Sequence, residues 1–202
     1  DRFLYLLYAA NDARPLLQFR SYQGFALVKS VKSMEKDERE KFVDIIAFCL
    51  MQNHFHLMLR QRVEKGISQF MHKLGTAYTM YFNTKYKRSG VLFQGVFKAI
   101  HIDKENYITQ LSRYIHLNPV EFQEPHWKER GIHNSRASLA FAENYPWSSY
   151  CDYLGKRNFK IILDYALISE LFLPPKSYKS FVDEWILDYS DNFGKLQGYT
   201  FE

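Results

Sequence analysis

The sequence predicts an α+β fold, a central antiparallel sheet with helices on one side, and three observations carry that prediction. Val43–Leu50 and His54–Leu59 are apolar runs separated only by the polar break Met51-Gln52-Asn53, which reads as an antiparallel strand pair. From Ile67 the apolar residues recur at steps of three and four instead, through Phe70, Met71, Leu74, Tyr78, Tyr81 and Phe82. That period places them on one face of a long amphipathic helix. A further stretch from Asp103 to about Asn118 reads as a helix ended by Pro119, which disfavours helical geometry at the residue before it.

The other elements follow in chain order. Arg2 to Ala10 is apolar and aromatic and predicts a short helix ending near Asn11-Asp12. Arg14 to Lys32 sustains no period and is broken at Pro15 and Gly24. Ser33 can accept from a free backbone N–H and so cap a short charged helix over Met34 to Phe42. After a turn at Ser89-Gly90, Val91 to Ile102 predicts one or two strands interrupted at Gly95, and Asp103 is the expected cap of the helix that follows. Tyr178, Phe181, Val182, Trp185, Ile186 and Tyr189 mark a C-terminal amphipathic helix. The expected organisation is one domain over residues 1–150 and a helical extension over 151–202, with no internal repeat.

At 202 residues, 47% hydrophobic and 17% aromatic, the chain can bury a real core, and 24% charged residues exclude a disordered polyampholyte. No apolar run approaches the ~20 residues a membrane helix needs, and no signal-peptide layout opens the chain. Cys49 and Cys151 lie far apart without metal-ligand spacing, which argues against a disulfide framework or a zinc finger and for a cytoplasmic protein. The net charge of +5 is unevenly placed. Nine basic and two acidic residues fall between Arg60 and Lys104, so this segment carries +7 and the remainder −2. Such a stripe is the footprint of a polyanion partner, although a merely solvated face has the same composition. From Cys151 onward the balance is acidic, with six basic against eight acidic residues.

Two constellations could carry chemistry. In a strand, residues i and i+2 share a face, so His54 and His56 would project side by side while Phe55 turns into the opposite, buried layer with Leu57 and Leu59. Two neutral imidazoles on one face make half of a divalent-metal site, or an incidental alternation. On the second helix, Tyr114 and Asn118 stand one turn apart on one face, a phenol beside an amide oxygen. Tyr107 lies two turns earlier on a similar face and competes as nucleophile. His116 would point away from the Tyr114–Asn118 face. Tyr78 and Tyr81 could stack on bases, but their place on the apolar stripe reads as core.

Together these segments resemble one family. Met51-Gln52-Asn53-His54-Phe55-His56-Leu57-Met58-Leu59 is similar to the histidine–hydrophobe–histidine (HUH) strand of single-tyrosine transposases of the insertion-sequence-200-like type. Arg113-Tyr114-Ile115-His116-Leu117-Asn118-Pro119-Val120 resembles their catalytic-tyrosine helix, and Gly90 to Lys98 the strand between. Pro146-Trp147-Ser148-Ser149-Tyr150 resembles the segment that follows in the REP-associated tyrosine transposases, the subgroup closest to this chain. The four motifs run in order from about residue 43 to 150.

The resemblance implies a ferredoxin-like HUH endonuclease domain with His54, His56 and Asn118 as ligands of Mg²⁺ or Mn²⁺ and Tyr114, rather than Tyr107, as nucleophile. It implies cleavage and transfer of single-stranded DNA beside a hairpin, through a covalent 5′-phosphotyrosine. Lys85, Lys87, Arg88, Lys98 and Arg113 are the candidate DNA contacts. No residue is identified for deprotonating Tyr114. The C-terminal extension resembles that of relatives acting as monomers rather than homodimers. Relatives open with a strand bearing a Tyr-His-like pair and an Arg-Gly turn; this chain begins at Asp1-Arg2-Phe3, already in the first helix, so that strand is expected to be absent or supplied from elsewhere. Gln52 stands where relatives often have Pro. The competing expectations are a non-catalytic, domesticated single-strand binder and a metal-dependent phosphodiesterase that uses water.

Overall fold

The computed structural model describes residues 2–14, 37–157, 159, 161–172 and 176–191. It is an α+β protein. Helix α1 spans Arg2–Ala9, strands β1 and β2 span Val43–Leu50 and Phe55–Gln61, and helix α2 spans Gly66–Tyr86. Helix α3, Glu105–Leu117, runs into a 3₁₀ turn at Asn118–Phe122. Five more helices follow: α4 Trp127–Arg130, α5 Ser135–Asn144, α6 Tyr150–Tyr153, α7 Ala166–Leu171 and α8 Lys176–Asp191. No helix among the described residues is long and apolar enough to cross a membrane.

The chain forms two compact units, one of residues 1–44, 59–101 and 161–163, the other of 45–58, 102–160 and 164–202. In the first unit α1 is apolar nearly all round and is correspondingly buried, with Phe3, Leu4, Leu6 and Leu7 in the core. On α2 the predicted stripe buries Phe70 and Leu74, and Tyr78 meets Phe3 edge-on with ring centroids 4.9 Å apart. Tyr78 and Tyr81 are both half-buried. Asn11 secures the entry to β1. Its Nδ2 donates to the Val43 carbonyl at 2.7 Å, while Oδ1 accepts from the Phe42 and Val43 amides.

The strand pair forms as predicted, antiparallel and joined by a tight turn closed by Met51 N–H donating to the His54 carbonyl at 2.9 Å. In the second unit β1 gains a short extended neighbour: Leu50 N–H donates to the Trp147 carbonyl and Ser149 N–H to Phe48 O, both at 2.9 Å. Flanked in this way, β1 is buried from Val43 to Cys49, which accounts for the apolar run from Ile45 onward. Around it one core draws Ile46 and Cys49 from β1, Met58 from β2, Ile115 and Leu117 from α3, Trp127 from α4, and Tyr178, Val182 and Ile186 from α8.

Several predicted elements differ. Residues 37–41 are irregular rather than helical, and the proposed Ser33 cap lies outside the described residues, as does most of Arg14 to Lys32. Arg39 explains the irregular stretch: its guanidinium pairs with Asp37 at 2.7 Å and donates to the carbonyls of Tyr8 and Ile161, tertiary bonds that replace helical ones. Val91 to Ile102 forms no strand. Gly90 and Gly95 take positive φ (88° and 80°) and Val91, Val96 and Ile100 are exposed, so the apolar residues there have no ladder to join. Asp103 does not cap α3; Lys104 occupies the N-cap without a side-chain bond. The α-helix does end where Pro119 predicts, at Leu117, and Pro119 sits in the first turn of the 3₁₀ segment that follows, where its missing N–H costs nothing.

Candidate nucleophile and metal-binding site

The second unit holds both constellations, and it brings His56 of the first against Tyr114 of the second. The His54 and His56 rings lie 5.0 Å apart, nearly perpendicular at 88°. The His56 ring stands edge-on to the Tyr114 ring at 5.9 Å. His54 is exposed at the turn, while His56 and Tyr114 are half-buried. The face of β2 carrying the histidines is also the one that enters the core, through Met58 at 5% exposure; Phe55 and Leu57 on the other face are only half-buried. This reverses the expected orientation. The reason is α3, whose Ile115 shares the core cluster with Met58 and whose Tyr114 covers His56.

Asn53 fixes the tautomer of His54. Its Oδ1, an acceptor, lies 2.7 Å from His54 Nδ1, so Nδ1 carries the hydrogen and the lone pair is left on Nε2. Asn118 is buried, and its Nδ2 donates to the Tyr114 carbonyl at 2.9 Å. That bond uses the amide nitrogen, not the oxygen that could ligate a cation. Two imidazoles and a carboxamide oxygen are a donor set suited to a divalent ion with open positions. Among the described residues no cluster of three His, Cys, Asp or Glu side chains could hold a metal.

Tyr114 has a neighbour that sequence reasoning missed. Lys128, on α4, donates from Nζ to the phenol oxygen at 2.7 Å and lies 4.4 Å from the ring centroid. No spacing rule links positions 114 and 128; only the fold places them together. Tyr107, the competing nucleophile, is 43% exposed near the start of α3.

His116 faces away from this site, as predicted, and is fully buried. Ser112 Oγ donates to the Thr109 carbonyl and Tyr178 Oη to Ser112 Oγ at 3.1 Å. His116 Nδ1 lies 2.7 Å from Tyr178 Oη and Nε2 2.7 Å from Ser149 Oγ, so the ring bridges two buried hydroxyls. Burial pushes the imidazole pKa down to about 3, so it is neutral in this chain of bonds.

The predicted DNA contacts divide. Lys85, Lys87, Arg88 and Lys98 are exposed on the C-terminal end of α2 and the loop after it, in the first unit. Arg113 is buried instead: its guanidinium lies 4.4 Å from the Phe181 ring and 4.7 Å from that of Trp185, and it hydrogen-bonds Gln110. Its place on the apolar side of α3 sets it against α8. Burial lowers its pKa to about 10.

Comparison with known proteins gives one match. Residues 27–118 fit the family described as "Transposase IS200 like". No curated protein and no solved structure matches. The matched stretch includes both histidines and ends at Asn118, four residues past Tyr114, so the residues that meet in the second unit lie within it. Residues 27–118 are therefore similar to the IS200-like transposases, and that likeness covers both histidines and Tyr114.

Proposed function

We propose that this chain is a transposase that cleaves single-stranded DNA and transfers the strand through a covalent 5′-phosphotyrosine on Tyr114. The observation that carries the reading is the edge-on contact of His56 with Tyr114, which joins the histidine pair to a phenol 58 positions later. Tyr114 Oη attacks phosphorus and displaces the 3′-oxygen, leaving a linked 5′ end and a free 3′-OH. An acceptor 3′-OH then reverses the reaction, and the ester bond energy is retained for rejoining. His54, His56 and Asn118 would hold Mg²⁺ or Mn²⁺. When bound, such an ion supplies positive charge against the phosphate oxygens. Asn53 orients His54 for that task, and Asn118 ties the amide to the Tyr114 backbone.

Residues 1–150 are the nuclease domain in this reading and 151–202 its helical extension. The protein acts in the cytoplasm as a monomer, at hairpin-flanked, REP-like sequences. Lys85, Lys87, Arg88 and Lys98 follow the strand's phosphates, a role that positions DNA without reading its sequence. The test is incubation with a labelled, hairpin-flanked single strand and Mg²⁺ or Mn²⁺, followed by denaturing electrophoresis. A protein–DNA band present in the native chain and lost in Tyr114→Phe supports the reading. Cleavage without a band, surviving Tyr114→Phe, identifies a hydrolase that uses water; binding without cleavage identifies a domesticated binder.

A further inference from the structure

We propose that Lys128 is a catalytic residue of both cleavage and rejoining, its ammonium holding the phosphate that Tyr114 attacks. The inference rests on Tyr114 being the nucleophile. The lysine Nζ lies 2.7 Å from the phenol oxygen, the atom that becomes the bridging oxygen of the tyrosyl phosphate. Phosphorus joined to that oxygen is one covalent bond away, and its non-bridging oxygens come within reach of the same ammonium. Lysine acts on phosphate as a point charge, which needs proximity more than a fixed fork of donors.

The local fold holds the group in place before any substrate arrives. Trp127, the preceding residue, is 2% exposed and packs edge-on against Trp185 of α8 with ring centroids 5.8 Å apart. His126 turns the chain into α4 through a left-handed backbone (φ 63°), and its N–H donates to Glu121 Oε1 at 2.9 Å. The Trp127 amide donates to the Glu124 carbonyl at 3.1 Å. A four-residue helix anchored by a buried tryptophan thus delivers one half-buried lysine to the phenol oxygen. Charge fixed ahead of the reaction stabilises a transition state without the cost of reorganising solvent.

The bonds balance as follows. In cleavage, Tyr114 Oη bonds to phosphorus and the bond from phosphorus to the 3′-oxygen breaks; the phenolic proton passes to water and the leaving oxygen takes one from water. In rejoining, the incoming 3′-OH gives its proton to water, the bond to Oη breaks, and Oη takes a proton back. Lys128 keeps its protons throughout and opposes the charge on phosphorus in both directions.

The experiment compares Lys128→Met and Lys128→Arg with the native full-length chain on the labelled hairpin strand with Mn²⁺. Single-turnover adduct formation, strand Kd and Tm are measured separately. In Lys128→Met, adduct formation is expected to slow by about 10²-fold with Kd and Tm unchanged, the scale seen when one charge-stabilising donor is removed. Rejoining of the isolated adduct to an added 3′-OH strand slows with it, and Lys128→Arg recovers most of both rates. The proposal is overturned if Lys128→Met cleaves at the native rate, if its whole defect lies in Kd, or if Tm falls and Lys128→Arg is equally impaired. An adduct that persists in Tyr114→Phe overturns the nucleophile reading instead, and the role of Lys128 with it.

Discussion

Asn53 shows how much can turn on one residue in what the sequence presents only as a break between strands. By accepting from Nδ1 it dictates which nitrogen His54 offers to a ligand. Asn53→Ala is expected to lower Mn²⁺ affinity about tenfold or more, the usual cost of losing a ligand's orienting partner, as titration calorimetry would read. A larger stability effect is expected at His116, which joins the hydroxyls of Tyr178 and Ser149 in the core. His116→Phe removes one hydrogen bond from each, while Ser112 and the Phe48 backbone still partner them, and is expected to cost about 1–3 kcal/mol in urea unfolding at about 0.5–1.5 per bond. That His54 and His56 share a face, and Tyr114 and Asn118 another, was legible because strand and helix periods fix faces locally. Lys128 was not, and neither was the burial of Arg113, because each depends on a partner from a distant part of the chain.

At the scale of elements, α2 and β1 could be read because their apolar periods extend over many residues, 21 and 8. The helices α4 to α7 could not: several are four to six residues long and owe their form to packing rather than propensity. Residues 91–102 carry a strand's composition, yet composition cannot say whether a neighbouring strand is there to pair with. Gly66, the first residue of α2, lies so close to the Phe42 carbonyl that an added Cβ would sit 2.4 Å from its oxygen. Gly66→Ala is expected to destabilise the chain by about 1–3 kcal/mol, read as a lower urea midpoint. Glu143 of α5 meets Lys156 at 2.9 Å and Lys179 of α8 at 2.5 Å. Burial raises its pKa, but the bonds to Lys179 and Lys156 outweigh that and hold it below the ordinary 4.5. A lowered carboxylate pKa stabilises the fold above the unfolded value, and that stability is lost as pH falls through the folded one. Glu143→Gln should therefore flatten the acid limb of a stability profile below about pH 4.5 and lower stability above it.

For the whole molecule, the +7 segment is less free than its sum suggests. Arg60 and Arg62 are both taken by Asp44, at 2.9 and 2.8 Å, and Lys73 donates to the carbonyls of Asp12 and Arg14. Much of the exposed remainder is Lys85, Lys87, Arg88 and Lys98 on one stretch of chain. Replacing these four by alanine is expected to weaken single-strand binding and to reduce the slope of log K against log salt by about 3, near 0.7 per phosphate contact. An unchanged slope would remove this stretch from the DNA-binding face. The bond between Tyr178 and His116 has a consequence in time rather than space. The helix bearing Tyr114 leaves the ribosome more than 60 residues before the helix that completes its buried side. A nascent chain halted before Tyr178 has His54, His56, Tyr114 and Asn118 but not the packing behind α3, so on the proposed function cutting ability should arrive only once α8 has been made.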